Sequence, residues 1–444
     1  MVLAAEAGRQ QQLKRALGRG FSIAACVGTI IGLGILRTPG EIASTIREPW
    51  LYMGLWAAGG AFVLLSILVV AELIAMTPKS GGPYALVANA FGPYPGFLLG
   101  WTDWLANCAS GSLKAVVLME YAALLMPQLR PFVIPGALAV TSAFALLQLG
   151  GVRLSGGIFQ AAAAAFGVIL LAVSGALLFG TPVAEASAAA GPQIVRTSIG
   201  WAHYGIVVAA IVFTYDGWVG ASYYSAEVDG GARSTALGSI RGTLIVIALY
   251  LLLNGMLVLN VPLAILDGQE LALAAALEYL YGEGSGQFIV LAALFILLAH
   301  QNVQYMAASR VLYALSFDGL GTQHAAGVSK RGTPTGAVAA TWVLMSGLIL
   351  AGGFGFLLNL CALLFIAGYV AMVLGVFRLR RESPDEPRPY RARGFPATGF
   401  VCAVGWAGIA VFVGLMDLKS AAYSLVLAGL SVPVFLWVKS RHRA

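Results

Sequence analysis

Charge is what this sequence has least of. Asp, Glu, Lys and Arg make up 10% of its 444 residues, whereas 59% are hydrophobic and the mean hydropathy is +0.85. That deficit excludes a water-soluble globule, because so apolar a chain cannot hide its surplus in a core and must expose it to lipid. Cysteine is scarce too. The four present, Cys26, Cys108, Cys361 and Cys402, all fall in apolar runs, which argues against a disulfide framework and leaves them as small buried hydrophobes. Nothing suggests a metal site, and no cofactor is expected. The polar N-terminal segment, residues 1–20, lacks an apolar stretch with a small-residue cleavage site, so no removed signal peptide is expected. A nucleophile and base constellation is also lacking, which argues against an integral-membrane enzyme. "GLGILRTPG" has neither the G-x-G-x-x-G spacing nor a preceding strand, and so is no dinucleotide fingerprint.

What the sequence has is long apolar runs. Hydropathy places spans near 21–46, 51–76, 93–126, 131–149, 156–180, 200–226, 238–263, 286–314, 336–352, 355–377, 398–416 and 420–438, twelve in all. These runs are too long and too uniformly apolar for barrel strands, and only helices or closed barrels satisfy the backbone in lipid. An all-α polytopic membrane protein is therefore expected. With the N-terminus in the cytoplasm, 20 Lys and Arg fall on the cytoplasmic side and five outside, with Lys114 inside span three. The positive-inside rule then puts both termini in the cytoplasm, in a cell (inner) membrane. That asymmetry also accounts for the net charge of +7 without nucleic acid: "RLRRESPDEPRPYRARG" reads as a cytoplasmic loop.

Glycines interrupt the first span. In "GTIIGLGIL", Gly28 to Leu36, Gly32 lies roughly 17 Å into the span, near the middle of a hydrocarbon core about 30 Å thick. Glycine there serves either a ligand-filled break or close helix packing. Span six carries "FTYDGW", Phe213 to Trp218, near its midpoint. A midplane aspartate usually faces a cavity or caps a helix end, and Asp-Gly is turn chemistry that suits Asp216 to N-cap a second half-helix. Interruptions in spans one and six are what a five-plus-five inverted repeat predicts. The repeats would cover 21–180 and 200–377, followed by a basic cytoplasmic loop, 378–397, and an appendage, 398–438. Half-helix N-termini would hold a carboxylate and unwound carbonyls an ammonium, a pair of sites that suits the zwitterion of an amino acid.

Together "GTIIGLGIL", "AELIAMTPKSGGPY", "FTYDGW" with Glu227 following, "SRVLYALSFDG", "RGTPTGAV" and "RPYRARGFP" resemble the amino acid, polyamine and organocation transporter superfamily, most nearly its L-type amino acid transporter branch. The resemblance implies that backbone amides of Gly32, Leu33 and Gly34 receive the substrate carboxylate. Carbonyls of Ile30, Phe213 and Asp216 would receive the amino group, the Phe213 ring would gate, and Thr214 and Gly217 would complete the substrate site. Leu33 departs from the serine frequent there. Members of the family bridge spans one and eight by a sodium ion or by a lysine of span five. Here the run from Gly286 to Ala308 has no serine or threonine, and Gly167 stands at the counted lysine position. Sodium-independent transport is expected, leaving exchange, facilitated diffusion, or proton coupling through Asp103, Asp216 or His300, in that order.

Other polar residues within spans are few. Asp103, Asn107, Ser110 and Lys114 fall at offsets 0, 4, 7 and 11, one narrow helix face that lines a path, holds a protonation switch or makes interhelical hydrogen bonds. His300 either titrates or is a satisfied buried histidine. Glu72 and Glu120, near span ends, are expected to reach water. The function expected is secondary transport of neutral L-amino acids by alternating access. A carrier of cationic amino acids or polyamines is the alternative within the class; a channel or receptor is the alternative outside it. The expected partners are an amino acid and the lipid bilayer, with no subunit identified.

Overall fold

A computed structural model describes residues 17–18, 20–32, 34–183, 201–351 and 354–441. Along the chain run α1 (Phe21–Ile30), α2 (Gly34–Ala43), α3 (Pro49–Met76), α4 (Pro83–Phe91), α5 (Pro93–Leu125), α6 (Val133–Leu149), α7 (Val152–Phe179), α8 (Trp201–Thr214) and α9 (Gly231–Asn260). There follow α10 (Leu263–Leu266), α11 (Ala272–Tyr281), α12 (Gln287–Phe317), α13 (Gln323–Ala326), α14 (Thr335–Ala351), α15 (Phe354–Glu382), α16 (Ala397–Met416) and α17 (Leu418–Arg441). Among the described residues there is no sheet. One isolated parallel bridge joins Leu17 to Val228.

Ten of these segments, with α1 and α2 counted as one and α6 joined to the 3-10 turn Pro127–Phe132 before it, are long and apolar enough to cross a bilayer, and α8 and α14 are shorter apolar helices. The two short ones correspond to the sixth and ninth expected spans. α14 has 17 residues, at the lower bound of a crossing. α8 has 14 residues, about 21 Å, because the segment breaks before it could reach the far side. The ends of the other helices lie close to those expected from hydropathy.

Burial separates a centre from a rim. The apolar windows of α1–α2 and α12 are 71% and 72% buried, those of α16 and α17 only 17% and 22%, so the last two helices sit at the edge with lipid-ready faces. Trp56, Trp218 and Trp406 are among the largest fully buried side chains. The stretch between α9 and α12 is largely helical: α10 and α11 pack on α2, and Gly40 abuts the Gln269 carbonyl.

Glu72 does not reach water. It is buried and accepts from Arg380 (2.5 and 2.9 Å), from Arg388 (3.1 Å) and from the Ala392 amide (2.7 Å). A carboxylate at this depth is tolerable because four donors satisfy it. This knot ties the basic segment after α15 back onto α3. Arg310, one of the 20 basic residues counted on the cytoplasmic side, likewise lies inside α12 and is buried.

Candidate functional site

The two interrupted helices meet at the centre. α1 ends at Ile30, Ile31 is extended (φ −71°, ψ 104°), and α2 restarts at Gly34; Leu33 lies outside the described residues. α8 ends at Thr214, the chain turns through Gly217 at φ +105°, and a 3-10 turn follows over Gly220–Tyr224. Thr29 Oγ1 donates to the Gly217 carbonyl (2.8 Å), and the Thr38 and Thr214 hydroxyls are 2.7 Å apart. A Cβ on Gly34 would stand 3.0–3.1 Å from Thr214, one on Gly217 would stand 2.5 Å from the Thr29 carbonyl oxygen, and one on Gly32 would stand 3.1 Å from His300. The glycines open the helix, and they let the two breaks touch.

The unwound carbonyls already carry partners. Ile30 accepts from the Tyr250 hydroxyl (3.2 Å), Phe213 from the Asp216 amide (3.0 Å), and Ile31 lies 2.7 Å from His300 Nε2. Each oxygen keeps a second lone pair for a ligand. Asp216 does not cap the following turn. Val219 occupies the cap position without a side-chain hydrogen bond, while the Asp216 carboxylate accepts from the Tyr369 hydroxyl of α15. Tyr369 is itself wedged between Trp218 and Trp406, with ring centroids 4.8 and 4.7 Å away. A tertiary donor has replaced the local cap.

Beside the breaks lies a cavity of about 80 Å³. The polar face of α5 lines it: Asp103, Asn107, Ser110 and Lys114 all reach it, opposite Asp216 and His300. Gly217 also lines it, whereas Ile30, Gly32, Gly34, Phe213 and Thr214 do not. The α5 stripe both lines the cavity and makes hydrogen bonds to neighbouring elements. Ser110 accepts from Gln304 of α12 (2.9 Å), and Asp103 Oδ1 accepts from Tyr223 (2.9 Å) and Asn107 (3.1 Å). Thr29, Tyr223, Gln304 and Tyr369 were not singled out from the sequence. Only their positions inside or beside the quoted motifs, Tyr369 excepted, could have drawn attention to them.

His300 supplies a bridge between α1 and α12 that the sequence reading did not identify, through its bond to Ile31 in the first break. A Cβ on Gly167 would meet open space, whereas Phe166 is fully buried with its ring 6.2 Å from His300. Phe166 is therefore the residue of α7 that backs the bridge.

At the end of the molecule that the charge count assigns to the cytoplasm, a clamp surrounds the second half of the break. Gly81 and Gly82 amides donate to Tyr223 and Ser222 carbonyls (3.3 and 3.4 Å), and the Ala226 amide donates to Ser80 Oγ (3.0 Å). Tyr84 donates to Asp318 (2.7 Å), which Lys79 also approaches at 3.4 Å. Burial, and then the Asp318 carboxylate, hold the Tyr84 hydroxyl well above its usual pKa, so it stays a donor. Next to the clamp, Arg310 faces Glu227 through a two-pronged ion pair (3.2 and 3.3 Å) with both side chains excluded from solvent.

Comparison with known proteins agrees with this geometry. A family profile described as amino acid permease matches residues 21–438. The chain is 24% identical over 445 residues to the serine/threonine exchanger SteT of Bacillus subtilis, covering 97% of this chain and 98% of that one. It is 26% identical over 391 residues to the human b(0,+)-type amino acid transporter 1, 85% of this chain and 79% of that one. To the branched-chain amino acid permease BcaP of Lactococcus lactis it is 25% identical over 450 residues, 94% and 93% of the two chains.

Proposed function

Since the chain belongs to the amino acid permease family, we propose that the facing breaks of α1–α2 and α8 hold the α-carboxylate and α-ammonium of a neutral L-amino acid. The protein is an integral membrane amino acid transporter. Amides of Gly32, Leu33 and Gly34, at the positive end of α2, take the carboxylate. The remaining lone pairs of the Ile30, Phe213 and Asp216 carbonyls take the ammonium, with Thr214 and Gly217 holding the breaks together and Phe213 closing over the ligand. The observation that carries the reading is the direct contact of two helix breaks beside a polar cavity. Repeats 21–180 and 200–377 move about this site by alternating access, with segment 378–397 and helices 398–438 outside them.

Transport proceeds without sodium. The segment from Gly286 to Ala308 offers no serine or threonine hydroxyl to complete an oxygen cage, and His300 already binds the Ile31 carbonyl in the first break. In proteoliposomes, replacing sodium by choline at constant pH is expected to leave amino acid uptake and counterflow unchanged. Loss of uptake in choline would overturn this reading.

Twelve crossings with both termini in the cytoplasm place Ser383 and Gly268 on opposite sides of the cell membrane. A thiol label on Ser383→Cys should react only from inside, and one on Gly268→Cys only from outside. Labelling of both from one side would refute the topology.

A further inference from the structure

We infer that Asp103 is a proton site in the transport cavity, so that a neutral amino acid crosses together with one proton. The inference rests on the transport reading above. The cavity lining presents two carboxylates, Asp103 and Asp216, and one amino group, Lys114. A zwitterion carries no net charge and cannot balance the second carboxylate. The three titratable candidates in the cavity differ in how they are engaged. Asp216 accepts from Tyr369, and His300 is 2.7 Å from the Ile31 carbonyl. Asp103 is 3% exposed; both of its donors, Tyr223 and Asn107, bond Oδ1, and Oδ2 has no hydrogen-bond partner among the described residues. An ionised carboxylate with a bare oxygen, desolvated to this degree, is costly. A proton from outside water that binds Oδ2 removes the charge, and its release on the other side restores it.

The cation that lines the same cavity, Lys114, lies eleven residues along α5 from Asp103. The titratable groups around it are Tyr223, Asp216, Tyr369 of α15 and Cys108 on its own helix, with Lys114 and His300 further along the cavity. Tyr84 comes from α4. From α12 come also Tyr305, beside Cys108, and Arg310, paired with Glu227; α6 and α14 have no ionisable side chain, and neither do residues 424–438 of α17, where Trp101 and Tyr94 contact it. The site also has an output. Tyr223 donates its hydroxyl to Asp103 while its backbone carbonyl accepts from Gly81 (3.3 Å), so the charge on Asp103 bears on the residue around which the clamp closes.

The test uses full-length protein in proteoliposomes with a trapped pH dye, the membrane potential clamped at zero, and L-serine, L-leucine and L-lysine as probes. Influx of L-serine or L-leucine should acidify the lumen, and an inward gradient of one pH unit should support about tenfold accumulation. Asp103→Asn should lose both effects, and Asp103→Glu should restore the acidification. Acidification that persists in Asp103→Asn overturns the inference. So does transport of the neutral probes without proton movement; if L-lysine alone then moves charge, Asp103 binds a substrate ammonium instead. Should Asp103→Asn fail to fold, judged by melting and gel filtration, the pH profile of Asp103→Glu decides, and identity with the original profile counts against the proton site. Absence of counterflow for all twenty amino acids overturns the transport reading itself, a result distinct from counterflow without protons.

Discussion

Arg310→Ala is expected to destabilise the protein by about 3–5 kcal/mol, because it leaves the Glu227 carboxylate buried without its countercharge. Both side chains are almost fully excluded from solvent, and Arg310 spends two of its nitrogens on Glu227 and a third on Ser309 (3.2 Å). Little water can enter to replace them. The double variant Arg310→Met with Glu227→Leu should recover most of the loss, since removing both charges also removes their desolvation cost. Thermal melting of the single and double variants in one detergent checks this. If the double variant is as unstable as the sum of its singles, the pair acts through packing and not through charge.

Gly217→Val is expected to cut substrate affinity by roughly ten- to a hundredfold, with transport falling in parallel. A non-glycine residue at φ +105° pays about 1–3 kcal/mol of backbone strain, and each 1.4 kcal/mol is tenfold in affinity. Its Cβ would also stand 2.5 Å from the Thr29 carbonyl oxygen, a backbone atom that cannot rotate away. The breaks must then separate. Ligand-induced thermal shifts and counterflow measure the effect; Gly217→Val with unchanged counterflow would show that the contact of the breaks is dispensable. Gly34→Val is a weaker discriminator, because Gly34 abuts Thr214 and the change would harm packing and ligand approach alike.

How much of this was readable from the residues follows from the range of each interaction. Helices in lipid are dictated locally, by runs of apolar residues, so most of the expected spans were legible, and ten segments among the described residues are long and apolar enough to cross while α8 and α14 are shorter. The breaks were legible as well, since Gly32, Gly34 and Asp216–Gly217 are expensive at midplane. Partners were not. Asp216 followed by glycine looks like a cap, yet its donor is Tyr369, 153 residues away. Glu72 sits near a helix end and looks solvated, but residues more than 300 positions later enclose it. The α5 stripe was legible because helical periodicity alone places Asp103, Asn107, Ser110 and Lys114 on one face. That the stripe faces the breaks is a matter of tertiary packing.

The bridge at Leu17 has a kinetic consequence. The Leu17 amide donates to Glu227 (3.0 Å) and its carbonyl accepts from the Asp229 amide (2.8 Å), so the segment leading into α1 and the strand-like residues after the 3-10 turn are pinned as a pair. Swinging one outward drags the other unless both bonds rupture first. Opening at this end is therefore expected to break both bonds in one event shared by two pieces of chain far apart in sequence, so that backbone amides at Leu17 and Asp229 exchange their hydrogens for deuterium in step.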